Sequence, residues 1–454
     1  MRAIIGRRRQ PAAQEQRCRI SSSDAIPESG RPRQCVVLKA WFGSGRKASQ
    51  SFIWITVFLD VLGIGLIVPV LPALVGHFTT SPDEQAYWYG LLSATYGVVQ
   101  FFFTPVLGAL SDRFGRRPVL LLSIFGLGCS LLVQALATSL VTLLLIRILS
   151  GATGASFSVA NAYMADITAP EQRGKAFGML GAAFGMGFIF GPMLGGLLGG
   201  QDLRLPFFAA AALAGVNFLY GLFVLPESLP PDRRAPFSLR RANPFSALMH
   251  LGRLRAVGGL VGVFALTVFA QFVLHSTWVL YTQFRYGWGP TQNGMLLFMV
   301  GLVTAVVQGG LQGRLIKWFG EQRLALIGIA SNVIAFAGYG LATQGWMMYP
   351  ILVLNIFAFA VGPALQAIVS RSAAATEQGL TQGSLTAINS VAIIFAPLIG
   401  TALLAGVGHL PADDWRIGTS FFFGSALQFV ALTLAAMHFK RMGFNWWQKK
   451  SPAV

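Results

Sequence analysis

Two charged side chains, Asp60 and Arg147, stand well inside apolar runs of this 454-residue chain, and they are its first candidates for chemistry. Burying an acid in hydrocarbon is costly, so such groups usually serve a function. A carboxyl group there can load and release a proton. The plainer alternative is a structural acid satisfied by nearby hydroxyls or backbone. Arginine keeps its proton in a protein, so Arg147 is expected to hold an anion or to bias the proton affinity of a nearby acid. Its alternative is snorkelling to headgroups, feasible from about 10 Å at roughly 1.5 Å per residue. His275 lies in another apolar run, where a hydrogen-bonded packing role is the simpler reading. Gln271, Gln308 and Asn332 are amides in such runs, suited to bonding between helices and, where they face a cavity, to a substrate path.

Other reaction chemistries find little support. Cys18, Cys35 and Cys129 lack metal-ligand spacing, so neither a zinc site nor a disulfide is expected. No cluster of His, Cys or carboxylates suggests a membrane enzyme, and no phosphate-loop signature suggests a nucleotide. No metal, cofactor, nucleotide or nucleic-acid partner is therefore expected. Hydrophobic residues make up 54% of the chain and charged residues 11%, against roughly a quarter charged in soluble proteins. That excludes a cytosolic enzyme, a secreted domain and a disordered scaffold, and makes the lipid bilayer the solvent. The net charge of +18 could suggest nucleic acid. The basic residues, however, fall between apolar runs, where they encode orientation.

Holding these groups in place takes twelve crossings, counted at about 20 apolar residues each. They are expected near 52–75, 87–110, 118–138, 140–165, 175–199, 206–225, 256–283, 290–313, 323–343, 347–370, 379–407 and 417–440. Open-chain spans must be helices to satisfy their backbone in lipid, so the fold class is all-α integral membrane. The alternating ten-residue segments of a barrel are absent. Thirty Lys and Arg fall on the side of both termini and three on the other, which predicts cytoplasmic termini. Residues 1–50, with 11 basic and 3 acidic residues, read as a disordered cytoplasmic tail. A misassigned start and a transit peptide are the alternatives.

The chain also repeats itself. A shift of 205 residues pairs Gly108 with Gly313, Phe114 with Phe319, Gly115 with Gly320, Gly174 with Gly379, Gly178 with Gly383, Pro192 with Pro397 and Gly195 with Gly400. Two six-helix bundles are expected, 51–226 and 256–444, joined by a linker at 227–255 and followed by a short cytoplasmic tail at 445–454. Parallel halves related by an axis along the membrane normal are a transporter architecture.

The loop GALSDRFGRRP at 108–118 combines Gly108 and Gly115 with Asp112, Arg113, Arg116 and Arg117. Simple topology marking is one reading of so basic a loop; its ordered pattern favours gating. Its second-half copy, GRLIKWFGEQR at 313–323, has Lys317 in place of the acid. The fifth span carries Gly187, Gly191 and Gly195 at spacing four, with Pro192 and Gly196 beside them. That spacing lets a neighbouring helix approach closely, and Pro192 permits a bend.

The first of these loops resembles the signature of the major facilitator superfamily, over residues 51–444. Within it, FLDVLGIGLIVPVLPAL at 58–74, SDRFGRRPVLLLS at 111–123, RILSGATGA at 147–155 and FGMGFIFGPMLGG at 184–196 resemble tetracycline efflux proteins. So do GWMMYPILVL at 345–354, PALQA at 363–367 and QGSL at 382–385. The chain is identified as a member of the tetracycline-resistance branch of drug:proton antiporters. The resemblance places the branch's first-helix aspartate on Asp60, the fourth-helix Arg-x-x-x-Gly on Arg147 and Gly151, and the antiporter motif on the Gly191–Gly196 run. It also shows departures. Ser130 stands where related pumps carry a third-helix acid, Asn332 where they carry a ninth-helix acid, and Thr304 where they carry a histidine. A metal–tetracycline cation needs compensating negative charge.

The expected function is proton-coupled efflux of an amphipathic, drug-like compound by a multi-pass inner-membrane transporter. It is expected to act as a monomer, with a small-molecule substrate, protons and the lipid bilayer as partners. A metabolite exporter, a uniporter and a non-transporting membrane sensor are the alternatives.

Overall fold

The computed structural model describes residues 50–237, 258–372 and 378–442, all within one compact unit, Arg46–Val454. The expected tails, 1–50 save Gln50 and 445–454, and the expected linker beyond 237 lie outside the described residues. Eleven helices are long and apolar enough to cross a membrane, and a bent pair supplies a twelfth crossing. They are α1 (Gln50–Gly76), α2 (Pro82–Phe114), α3 (Arg116–Ala135), α4 (Leu140–Ile167), α5 (Pro170–Gly199) and α6 (Leu205–Phe223) in the first half. The second half holds α7 (Gly259–Tyr286), α8 (Pro290–Phe319), α9 (Glu321–Leu341), α10 (Gly345–Leu354 with Ile356–Arg371), α11 (Gly383–Ala405) and α12 (Trp415–Arg441). There is no strand among the described residues.

Local sequence sets the helix ends. Ser81 Oγ accepts from the Glu84 amide at 3.2 Å, with Pro82, Asp83 and Glu84 in the first turn of α2. Ser139 starts α4 in the same way, accepting from the Thr142 amide at 3.2 Å. The tight connections after α2 and α8 need positive φ, supplied by Gly115 at 107° and Gly320 at 78°. These glycines are 205 positions apart, so the internal repeat is structural as well as sequential.

Two spans differ from the continuous helices expected. The α4 helix stops at Thr153 and restarts at Ser156. The two parts of α10 meet at Asn355 with a bend of 53°. Neither break has a proline at it, whereas Pro105, Pro192 and Pro397 sit inside uninterrupted helices. Side-chain amides from neighbouring spans bond the backbone near both breaks. Gln100 Nε2 donates to the Gly154 carbonyl at 2.7 Å. In the second half, Gln308 Nε2 donates to Phe359 O at 3.2 Å and Gln312 Nε2 to Ala360 O at 3.4 Å. Gln308 itself lies in a π-helical turn of α8, Val306–Leu311.

The α5 glycines pack against α1. A Cβ on Gly191 would lie 2.7 Å from Gly65 Cα, one on Gly187 would lie 2.9 Å from Leu62 N, and one on Gly195 would strike the Leu66 backbone. The adjacent face of α5 meets α8, where Gly196 and Gly294 approach backbone to backbone and Thr291 Oγ1 donates to Gly196 O at 3.1 Å. Near the start of α2, Gly90 packs on Thr401 of α11, and Gln85 Nε2 donates to Gln283 Oε1 of α7 at 3.2 Å. His409 Nδ1 stands 3.3 Å from Asp83 Oδ2. These contacts join the halves from mid-span to the end where α2 begins. At the other end, a side chain added at Gly108, Gly174, Gly178, Gly181, Gly185 or Gly313 would meet open space. Among the described residues, contacts between the halves therefore close the end where α2 begins and leave the end bearing the 108–118 loop open.

Candidate functional site

The α4 break places Ser156 at the start of a new helix, beside Asp60 on α1. Ser156 Oγ donates to Asp60 Oδ2 at 2.5 Å. Asp60 is only 6% exposed, and its Oδ1 has no hydrogen-bond partner. It is the only buried acidic side chain among the described residues. Gln100 extends this polar seam to α2, because the amide that holds Gly154 also reaches the Tyr96 hydroxyl at 3.2 Å. The Tyr96 ring in turn lies beneath the Arg147 guanidinium, 5.8 Å from ring centre to Cζ. Arg147 is 8% exposed with Nη2 unpartnered. It does not snorkel outward, and no ion pair within 4 Å joins it to Asp60. A carboxylate with one free oxygen and a cation with one free nitrogen thus occupy the same bundle, each with bonding capacity left over. Chemically this is a place to exchange a proton and to hold a polar group of a substrate. Ser156 and Tyr96 were not flagged by sequence; the small-residue run SGATGAS was the one signal of a break.

At the open end the loop residues form a network within the first half. Arg116 Nη1 stands 2.5 Å from Asp112 Oδ1, and Arg116 Nε stands 2.9 Å from Asp166 Oδ2. Arg117 donates from Nε to Gly221 O at 3.3 Å and from Nη2 to Leu222 O, which ties α3 to α6. Arg113 lies over the Phe114 ring at 5.2 Å. Gly115 leaves room for Glu227, whose carboxylate accepts from the Arg116 amide at 2.8 Å and the Arg117 amide at 3.3 Å. Glu227 thereby caps α3, where the helix dipole favours an anion. Asp166 and Glu227 were also missed by sequence, since neither lies in the loop motif.

The second-half amides gather elsewhere. Gln271 Nε2 donates to Asn332 Oδ1 at 3.3 Å, Asn355 Nδ2 donates to the same oxygen at 3.4 Å, and Ser331 Oγ donates to Asn355 Oδ1 at 2.7 Å. Asn332 is fully buried with Nδ2 unpartnered. Ser130 is fully buried too, its hydroxyl spent on Leu127 O at 2.8 Å. Thr304 bonds to Val300 O at 2.7 Å. His275 lies on α7, edge-on to Phe272 at 6.4 Å, with no hydrogen bond among the described residues.

Comparison with known proteins agrees with this architecture. The profile described as Major Facilitator Superfamily matches residues 53–397. Tetracycline resistance protein, class C, of Escherichia coli is 41% identical over 83% of this chain and 93% of its own length. The class B protein of Escherichia coli is 35% identical over 83% of this chain and 93% of its own. Among solved structures, the human organic anion transporter MFSD10 superposes with a TM-score of 0.63 at 26% identity, covering 85% of this chain and 98% of that one. The nucleoside transporter NupG shares the fold, with a TM-score of 0.68 at 13% identity, covering 86% of this chain and 99% of that one.

Proposed function

Because the chain belongs to the major facilitator superfamily, in its tetracycline-resistance branch, we propose that this multi-pass membrane transporter exports an amphipathic, drug-like compound in exchange for protons, with Asp60 as the proton site. The observation that carries the reading is Asp60 itself, a lone buried acid with one oxygen bonded to Ser156 and the other unpartnered. Relatives named for tetracycline resistance support a drug substrate. The positive-inside asymmetry supports a cytoplasmic location for the open end and both termini, and on that reading the conformation described above faces inward in a bacterial inner membrane. From it, substrate enters between the halves, meets the α1–α2–α4 seam, and is released outward when the halves rock and Asp60 takes a proton. Arg147, Gln271, His275, Gln308 and Asn332 are proposed to serve the path or its walls, and the Asp112–Arg116 network to gate the cytoplasmic end. One chain supplies both halves, so a monomer suffices.

Tetracycline itself is expected to be carried weakly. A drug–metal cation in a low-dielectric cavity needs several anionic partners, and Asp60 stands alone among Ser130, Thr304 and Asn332. The test has two arms. A susceptibility panel of tetracyclines, fluoroquinolones, phenicols and dyes, in a pump-deficient host, identifies the substrate class; strong tetracycline resistance would overturn the charge reasoning. Purified protein in liposomes then reports substrate-driven proton movement. Asp60→Asn is expected to abolish it without loss of expression, and coupled exchange by that variant would remove Asp60 from the mechanism.

A further inference from the structure

The sides of α5 can be told apart by what they touch. Gly187, Gly191 and Gly195 meet α1, whereas Gly196 and Ile189 meet α8. Gly178 and Gly185 precede Gly196 by whole turns and share its α8 side. A side chain added at either would nevertheless meet open space. The side of α5 that packs on the second half farther along therefore borders the gap between the halves at the open end. At about 100° per residue, Phe184 and Phe188 fall on the arc between Gly187 and Gly196, turned toward that gap. Their rings are parallel within 6° with centres 6.0 Å apart, and Phe157 of α4 meets Phe184 at 5.4 Å. All three rings remain 40–42% exposed. Phe190 lies roughly opposite on α5, 6.1 Å from Phe298 of α8.

We propose that Phe157, Phe184 and Phe188 form an aromatic shelf that binds the fused rings of a planar, singly cationic substrate. Ring-to-ring contacts supply energy that a saturated compound of equal size does not obtain. The open space beside Gly178 and Gly185 lets a flat molecule lie along α5. A polar anchor stands at the end of the shelf. Ser156, the residue before Phe157, donates to Asp60 Oδ2 and leaves Oδ1 unpartnered. Asp60 is more than nine-tenths buried, so a ligand cation that reaches Oδ1 meets a carboxylate already stripped of water, where a charged contact is strong. Arg147, the buried cation of the same seam, is engaged by the Tyr96 ring. The inference names the substrate class for the efflux reading above and rests on it.

Ethidium, a planar aromatic cation, is the probe, and tetrapropylammonium is the cation without rings. Fluorescence polarisation of ethidium on purified protein in detergent gives its affinity, and displacement by tetrapropylammonium gives the comparison. Phe184→Leu and Phe188→Leu keep apolar bulk and lose the ring. Each is expected to weaken ethidium about fivefold, the scale of one aromatic pair, and to leave tetrapropylammonium, a weak competitor, unchanged. Phe184→Trp is expected to bind ethidium at least as tightly as the parent, and Phe190→Leu is expected to alter neither ligand. Asp60→Asn is expected to weaken ethidium, and undiminished affinity there would overturn the placement of the cation. No ethidium binding by the parent, or equal affinity in the parent and both leucine variants, would overturn the shelf. Uptake of ethidium by inverted membrane vesicles, at dye concentrations below its Kd, separates this from the efflux reading. Ring-dependent binding without uptake leaves the shelf standing and removes efflux. Uptake that is equally fast in the leucine variants leaves efflux standing and removes the shelf.

Discussion

Asp60 and Ser156 differ in how visible they are to a reader of the sequence. A carboxylate in an apolar run stands out because its burial is expensive. A serine does not, since hydroxyls are common in spans and can satisfy themselves on their own helix, as Ser130 and Ser150 do. Only the α4 break turns Ser156 toward another helix. A hydrogen bond to a charged group is worth roughly 1.5–3 kcal/mol, so Ser156→Ala is expected to slow substrate-driven proton movement about tenfold. Ser156→Thr should recover most of it. Unchanged proton flux in Ser156→Ala would show that the short contact with Asp60 has no part in coupling. The same contrast applies to Arg116, visible in the loop motif, and to Asp166 and Glu227, which complete its environment from distant positions in the chain.

At the level of helices, periodicity and length located the spans well, because lipid enforces a repeating backbone solution. The breaks were not legible. Proline is the usual signal for a kink, yet Pro105, Pro192 and Pro397 lie in continuous helices, and amides from neighbouring spans bond the backbone near both breaks. Glycines tell a similar story, since spacing reveals a stripe but not its partner. A Cβ at Gly195 would meet the Leu66 backbone, which cannot rotate away, whereas one at Gly178 would meet nothing. Gly195→Ala is accordingly expected to destabilise the protein by about 1–3 kcal/mol, the usual scale of overpacking. Gly178→Ala is expected to be neutral or to stabilise by up to about 1 kcal/mol through helix propensity. Thermal unfolding in detergent separates the two, and equal melting temperatures would contradict the packing described.

For the whole molecule, the repeat could be read from seven matched residues, and the matching φ values at Gly115 and Gly320 give it a structural counterpart. The conformational state could not be read, because sequence does not say which end of a two-state bundle is shut. The Asp112–Arg116 contact is already formed with the end open. Asp112→Asn therefore weakens an existing network at that end, and it is expected to change the balance between the open and closed states. Transport should fall several-fold with normal membrane insertion. Cysteine accessibility at the 108–118 end gives the measurement, and an unchanged profile would assign gating to other residues.

The seam at the sealed end constrains how such a protein can be repaired by descent. Where two large side chains meet, damage from enlarging one can be undone by shrinking the other. Gly196 and Gly294 meet with nothing but backbone between them, and glycine has no smaller substitute. A lineage that gains bulk at either position has no compensating change at the point of contact. Its suppressors must arise farther off, in residues that let α5 and α8 stand apart, and they would loosen the seal they rescue.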